Sequence, residues 1–304
     1  MKQHKFFLDT EFIEGSQTIY QWGLKTDTWL RIAAIGFILL GIYIFFTFNM
    51  LLSLYFLFPA LILFGISFPK TPETIDLISI GIISEDGRKF YAISKDFNLK
   101  DAWNRYDIKI SGSFDGEQKK KKIYWIRENV LRAIFNEFKE RYNSRQPYVA
   151  MIEDFNYSNM SKIIKYFGLS NTTIAEQIKE FIYDVEVWGG DPAVYEHEVR
   201  TTIKEGISFY SYYGDYDWVV FCWLFGKMIN LPDGFPMYCI DVKQILDEKA
   251  LELKESTLET KKHTLKDAIN SIKAKKEYPK QKHEHNALAD AVWILQLYKF
   301  LKNY

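Results

Sequence analysis

The chain predicts an α/β fold, a mixed sheet flanked by helices, and three observations carry that expectation. Apolar, β-rich runs come first: Phe6-Phe7-Leu8, then residues 74–84 (TIDLISIGIIS), then residues 89–94 (KFYAIS). Helical spacing follows, as in Ile126, Val130, Ile134 and Phe138, before strand-like runs return at 207–213 and 237–240. The third is the turn Glu85-Asp86-Gly87, which makes a hairpin of the second and third runs. Strands, then helices with returning strands, describe an α/β sandwich rather than a bundle or barrel.

Helices are expected at 123–142, briefly at 160–167, and from Asn171-Thr172-Thr173 through Ile174, Ile178 and Ile182. Others are expected at 216–229, 242–253, 265–272 and 286–301. Pro232, Gly234 and Pro236 interrupt the second half. Residues 114–122 and 185–205 read as loops, the latter on Gly189-Gly190-Asp191-Pro192. Lys and Arg balance Asp and Glu at 39 each, so any attraction to a polyanion must be local. Lys119 to Lys122, and the group Lys273, Lys275, Lys276, Lys280 and Lys282, are the local concentrations, and either can be a solvated loop. Cys222 and Cys239 are too few for a disulfide framework or a cysteine zinc site.

One segment belongs to a different solvent. No residue from Ile32 to Pro69 is charged. A single helix over that run would measure about 57 Å, against a hydrocarbon core of about 30 Å. Two spans turning near Thr47-Phe48-Asn49, or a re-entrant loop, fit instead. The expectation is therefore a main, discontinuous domain of residues 1–28 and 69–304, with a two-helix transmembrane or re-entrant hairpin at 29–68 as contact with a lipid bilayer. Lys25, Arg31 and Lys70 flank the run and place that side, with the domain, in the cytoplasm.

Chemistry is expected at the end of the first strand. A period of two puts Asp9 and Glu11 on one face, where paired carboxylates repel unless a cation lies between them. Hard oxygen ligands suit Mg2+ or Mn2+. Asp217 heads the apolar stripe Val220, Phe221 and Leu224, and Asp290 heads Trp293, Ile294 and Leu297. Each carboxylate is costly there unless paired. Four such acids can hold two divalent ions about 4 Å apart, the arrangement that clamps a phosphodiester. His285, in the loop ahead of the last helix, can draw a proton from an attacking water. Phe12 can stack on a terminal base or pack in the core, and Lys280 and Lys282 can guide phosphates.

FLDTEF (Asp9, Glu11), YGDYDWVVF (Asp217) and HNALADA (His285, Asp290) together resemble the three motifs of the DEDDh 3′–5′ exonuclease superfamily. The resemblance is closest to the small bacterial exoribonucleases akin to RNase T. It implies a ribonuclease H-like fold and metal-dependent release of nucleoside 5′-monophosphates from a 3′ end. It also implies Asp9, Glu11, Asp217 and Asp290 as ligands of two divalent ions, and His285 as general base. Asp215 is the rival to Asp217, which stands at the family's spacing. The expected partner is the 3′ end of RNA or of single-stranded DNA, with a homodimer possible. The hairpin between the first two strands departs from the soluble members. A DNA exonuclease, or an idle membrane-tethered nucleic-acid-binding protein, are the rival expectations.

Overall fold

The computed structural model describes residues 3–16, 20–21, 24–47, 55–56, 58–59, 73–112, 118–187, 199–202, 205–256 and 264–304. Its centre is a five-stranded mixed sheet. In chain order the strands are β1 (His4–Ser16), β2 (Glu73–Ser84), β3 (Lys89–Ile93), β4 (Ile207–Ser211) and β5 (Ile240–Asp241). Across the sheet they run β5-β4-β1-β2-β3. β1 pairs in parallel with β4, from His4 opposite Ile207 to Phe7 opposite Tyr210, and β4 pairs in parallel with β5. β2 and β3 form the expected antiparallel hairpin.

Alternation along β1 sends side chains into two separate cores. Phe6 and Leu8 join Ile174, Ile178 and Ile182 of α5 (Asn171–Tyr183), with Trp218 and Phe221 of α6 (Asp215–Leu224). Phe7 points to the other face, into Val242 and Leu246 of α7 (Val242–Ser256), Ile272 of α8 (Leu265–Lys273) and Ile294 and Leu297 of α9 (Ala287–Lys302). Each of these fully buried β1 side chains contributes about 1.5–3 kcal/mol. They hold the strand rigid up to the point where its acids begin.

Gly81 on β2 explains how close α9 comes. A Cβ there would lie 2.3 Å from the Leu288 nitrogen and 2.4 Å from the Ala287 carbonyl carbon and oxygen. Only a missing side chain lets the first turn of α9 rest on the strand. That turn is capped by Asn286, whose Oδ1 accepts from the Ala289 N–H at 3.0 Å.

Several elements differ from expectation. Gln118 to Lys122, read as a loop, and Ile123, expected to open a helix, form a strand (Gln118–Ile123) antiparallel to Asp107–Gly112. Four lysines carry no apolar alternation, so the strand was visible only through its partner. Within 185–205, residues 184–187 and 199–202 pair antiparallel, and the Gly189–Pro192 loop signal lies outside the described residues. The helix expected at 216–229 ends at Leu224 because Gly226 turns left-handed, φ 91°. The helix expected at 123–142 begins with a π turn, Ile126–Leu131, and continues as α3 (Arg132–Asn143), and the short helix expected at 160–167 is α4 (Tyr157–Phe167).

Residues 14–74 with 98–104 form a second compact unit. It contains α1 (Thr26–Thr47) and α2 (Leu99–Asn104). Among the described residues no helix is long and apolar enough to cross a membrane, so the transmembrane spans expected at 29–68 are not seen there. Side chains of α1 are described only from Ile32 onward, a stretch shorter than a span. Most of the second expected span, residues 48–54, 57 and 60–69, lies outside the described residues.

Candidate active site

β1 leaves its cores carrying Asp9, Thr10, Glu11 and Phe12, and alternation divides them as it divided the phenylalanines. Asp9 and Glu11 take the face of Phe7 and meet Asp290 in the first turn of α9. One carboxylate oxygen from each of the three lies within 4.8 Å of the others. Glu11 and Asp290 are buried, at 8% and 6% exposure, and Asp9 is partly buried. Among the described residues no lysine or arginine pairs with them. The cleft they line has a volume of about 400 Å³ and also presents Phe12, Tyr216, Asp217 and His285.

Thr10 takes the opposite face, toward α6, and there it holds Asp217. The Thr10 N–H and hydroxyl both donate to Asp217 Oδ1, at 2.9 and 2.5 Å, and Ser211 Oγ donates to Oδ2 at 3.1 Å. Asp217 therefore lines the same cleft as the trio, with both oxygens already engaged. It is buried while Asp215 is exposed, which separates the two rivals.

These acids prefer their protons. Burial, followed by the charges of Asp217, Glu11 and Asp290, lifts Asp9 well above the usual carboxylate range. Glu11 is pushed up to about 8 by burial and by the charges of Asp290 and Asp217. Burial raises Asp217 to about 6 against its three hydrogen bonds, and raises Asp290 against those from Gln281 and His285. A buried carboxylate cluster without a cation is an electrostatic debt that bound positive charge would cancel.

His285 stands in the loop before α9 at φ 67°, a left-handed conformation unusual for a residue with a side chain. Its N–H donates to Asp290 Oδ2 at 2.9 Å, which ties that backbone to the cluster. The Asp290 Oδ1 atom accepts from Gln281 Nε2 at 2.6 Å. The imidazole Nδ1 is 3.9 Å from Glu11 Oε1, and the ring meets the Trp125 ring edge-on at 4.8 Å between centroids.

The structure thus gathers Asp9, Glu11, Asp290 and His285, with Asp217 alongside. Phe12 lines the cleft beside Tyr216, ring centroids 5.9 Å apart, and also packs on the core behind it. Lys280 and Lys282 are exposed and line a larger neighbouring cleft of about 820 Å³ that shares His285. Thr10, Ser211, Gln281 and Trp125 went unnoticed in the sequence. Thr10 alone had a signal, since a residue between two same-face acids must face the other helix layer.

No family model matches the chain. Curated relatives include a 3′–5′ exoribonuclease from each of two strains of Mycobacterium tuberculosis. Each is 23% identical over 182 residues, which is 60% of this chain and 71% of the relative. The sequence is thus distantly similar, over 71% of the relatives' length, to proteins named 3′–5′ exoribonuclease.

Proposed function

We propose that the chain is a 3′–5′ exoribonuclease of the DEDDh type, dependent on Mg2+ or Mn2+. The carrying observation is the meeting of Asp9, Glu11 and Asp290 within 4.8 Å, with His285 beside them. The relatives named as exoribonucleases support the substrate class. The donor set fits a pair of divalent ions: all oxygen, largely buried, and with no competing cation among the described residues. Asp9, Glu11 and Asp290 would hold them, with Asp217 adjoining. Bound there, such ions supply the positive charge that offsets negative charge building on a phosphodiester.

The chain's own residues do the rest. Glu11 faces His285 Nδ1, which leaves Nε2 to accept the proton of an attacking water. The N–H of His285 on Asp290 fixes the loop so that the ring stays over the cluster. Thr10 and Ser211 keep Asp217 oriented. Phe12 and Tyr216 offer an aromatic wall for a terminal base.

Labelled RNA and DNA with free 3′ ends, incubated with Mn2+ or EDTA, test this. RNA should shorten from its 3′ end only with metal, and release 5′-monophosphates. Asp9→Asn, Glu11→Gln and Asp290→Asn should each nearly abolish cleavage. His285→Ala should slow it about 10²–10⁴-fold while Mn2+ binding persists. Cleavage in EDTA would overturn the metal assignment.

The second unit is proposed to bind a bilayer, holding the catalytic domain on the cytoplasmic side. Support comes from the uncharged run 32–69 and from α1, where Ile35, Leu39 and Phe46 stand 52%, 62% and 80% exposed. So much apolar surface on one helix calls for an apolar neighbour. Flotation of the full chain with liposomes should carry it to the lipid layer, and recovery only at the bottom of the gradient would overturn this.

A further inference from the structure

The strand Gln118–Ile123 and its partner Asp107–Gly112 form a two-stranded arm about 20 Å long. Its register sets lysines against unusual neighbours. Ile108 opposes Lys122, Ile110 opposes Lys120, and Lys109 lies directly opposite Lys121. Both isoleucines are more than half exposed, and all four lysines are exposed. Opposed like charges destabilise a hairpin. Among the described residues none of these lysines has a carboxylate partner, and only Lys122 is otherwise engaged, over the Tyr106 ring at 4.1 Å. The arm presents lysines on both faces, with Asp107 at its base and Asp115 and Glu117 in the sequence that joins its strands.

Its stem leads to the candidate active site. Tyr106 and Tyr124 close the base of the arm, ring centroids 5.7 Å apart, and the next residue, Trp125, is the one that packs on His285. We propose that this arm grips the phosphate backbone of a single RNA strand whose 3′ end lies in the carboxylate cleft. This rests on the exoribonuclease reading and extends it to the upstream nucleotides. Lysines on both faces suit a flexible strand that can pass along either. Lys120 and Lys122 share one face about 7 Å apart, Lys109 and Lys121 share the other, and the isoleucines and Trp125 offer apolar surface to bases. An anionic membrane is the competing polyanion. The continuity of the arm with Trp125 and His285 favours RNA.

The test is the affinity of the full chain for a fluorescein-labelled oligouridine, by anisotropy in EDTA so that no cleavage is required. The parent is compared with a variant combining Lys109→Gln, Lys120→Gln, Lys121→Gln and Lys122→Gln, and with the matching Lys→Arg variant. The Gln variant should bind roughly tenfold or more weakly at low salt. The slope of log affinity against log salt should fall by about 3, near 0.7 for each lost contact. The Arg variant should bind and melt like the parent, and the Gln variant should melt no lower than either. Unchanged RNA affinity in the Gln variant, no binding by the parent, or loss of binding to phosphatidylserine vesicles alone would each overturn the proposal. A parent that binds through the arm yet never shortens RNA would sink the exoribonuclease reading and leave the arm standing. One that shortens RNA while the Gln variant binds normally does the reverse.

Discussion

The four acids of the cleft contribute to stability in the direction opposite to most carboxylates. Their pKa values lie above those of the unfolded chain, so the folded state retains protons that the unfolded state releases. Below about pH 4 both states are protonated and the cluster costs nothing. As pH rises from there toward the value near 8 reached by Glu11, the metal-free protein loses stability, on the order of a few kcal/mol. Calorimetry in EDTA should therefore show a melting temperature that falls over this window, and Glu11→Gln should flatten the fall. Mn2+ should reverse it, stabilising more as pH rises, because the ion binds the deprotonated ligands. A melting temperature in EDTA that climbs from pH 4 to 8 would contradict the burial argument. At this scale Asp9, Glu11, Asp217, Asp290 and His285 were legible in the sequence, because a charge at the end of an apolar stripe has few inexpensive explanations. Gln281 and Trp125 were not legible, since a glutamine among lysines and a tryptophan after a polar loop gain meaning only from what the fold sets beside them.

Among the elements, the contact between β2 and α9 governs the site most directly. Gly81→Ala would drive a methyl group into the Leu288 nitrogen and the Ala287 carbonyl, both backbone and neither able to swing away. The first turn of α9 must lift, and Asp290 and the His285 loop lift with it. Overpacking of this kind costs about 1–3 kcal/mol. Cleavage should suffer more than stability, with a loss of about 10²-fold, since displacement by about 1 Å is enough for that. Gly36→Ala in α1, where a Cβ meets nothing within 4 Å, should cost no activity and serves as control. A fully active Gly81→Ala enzyme would show that the packing does not position Asp290. The elements themselves were readable where apolar residues recur, as at Ile174, Ile178 and Ile182 or along TIDLISIGIIS. They were unreadable where pairing alone makes a strand, as at Lys119 to Lys122.

At the scale of the whole molecule, the strands on either side of the uncharged run lie next to each other in one sheet. The proposed bilayer contact therefore requires an even number of crossings, or none, between those strands. Replacing residues 25–70 with a short Gly/Ser turn should thus leave a protein that still degrades RNA with Mn2+ but no longer floats with liposomes. Cysteines placed before and after the run should be labelled from one side only, and labelling from opposite sides would contradict the sheet. The order of strands has a consequence in time as well. β1 sits in the middle of the sheet, yet its parallel partner β4 begins only at Ile207, and Asp290 comes later still. At about 5–20 residues per second, translation takes roughly 15–60 s to go from Asp9 to Asp290. The apolar run of residues 32–69 is complete about 3–12 s into that interval, long before Asp290 is made. No nascent chain halted before α9 presents the three-carboxylate cleft, so the site is completed only at the end of synthesis.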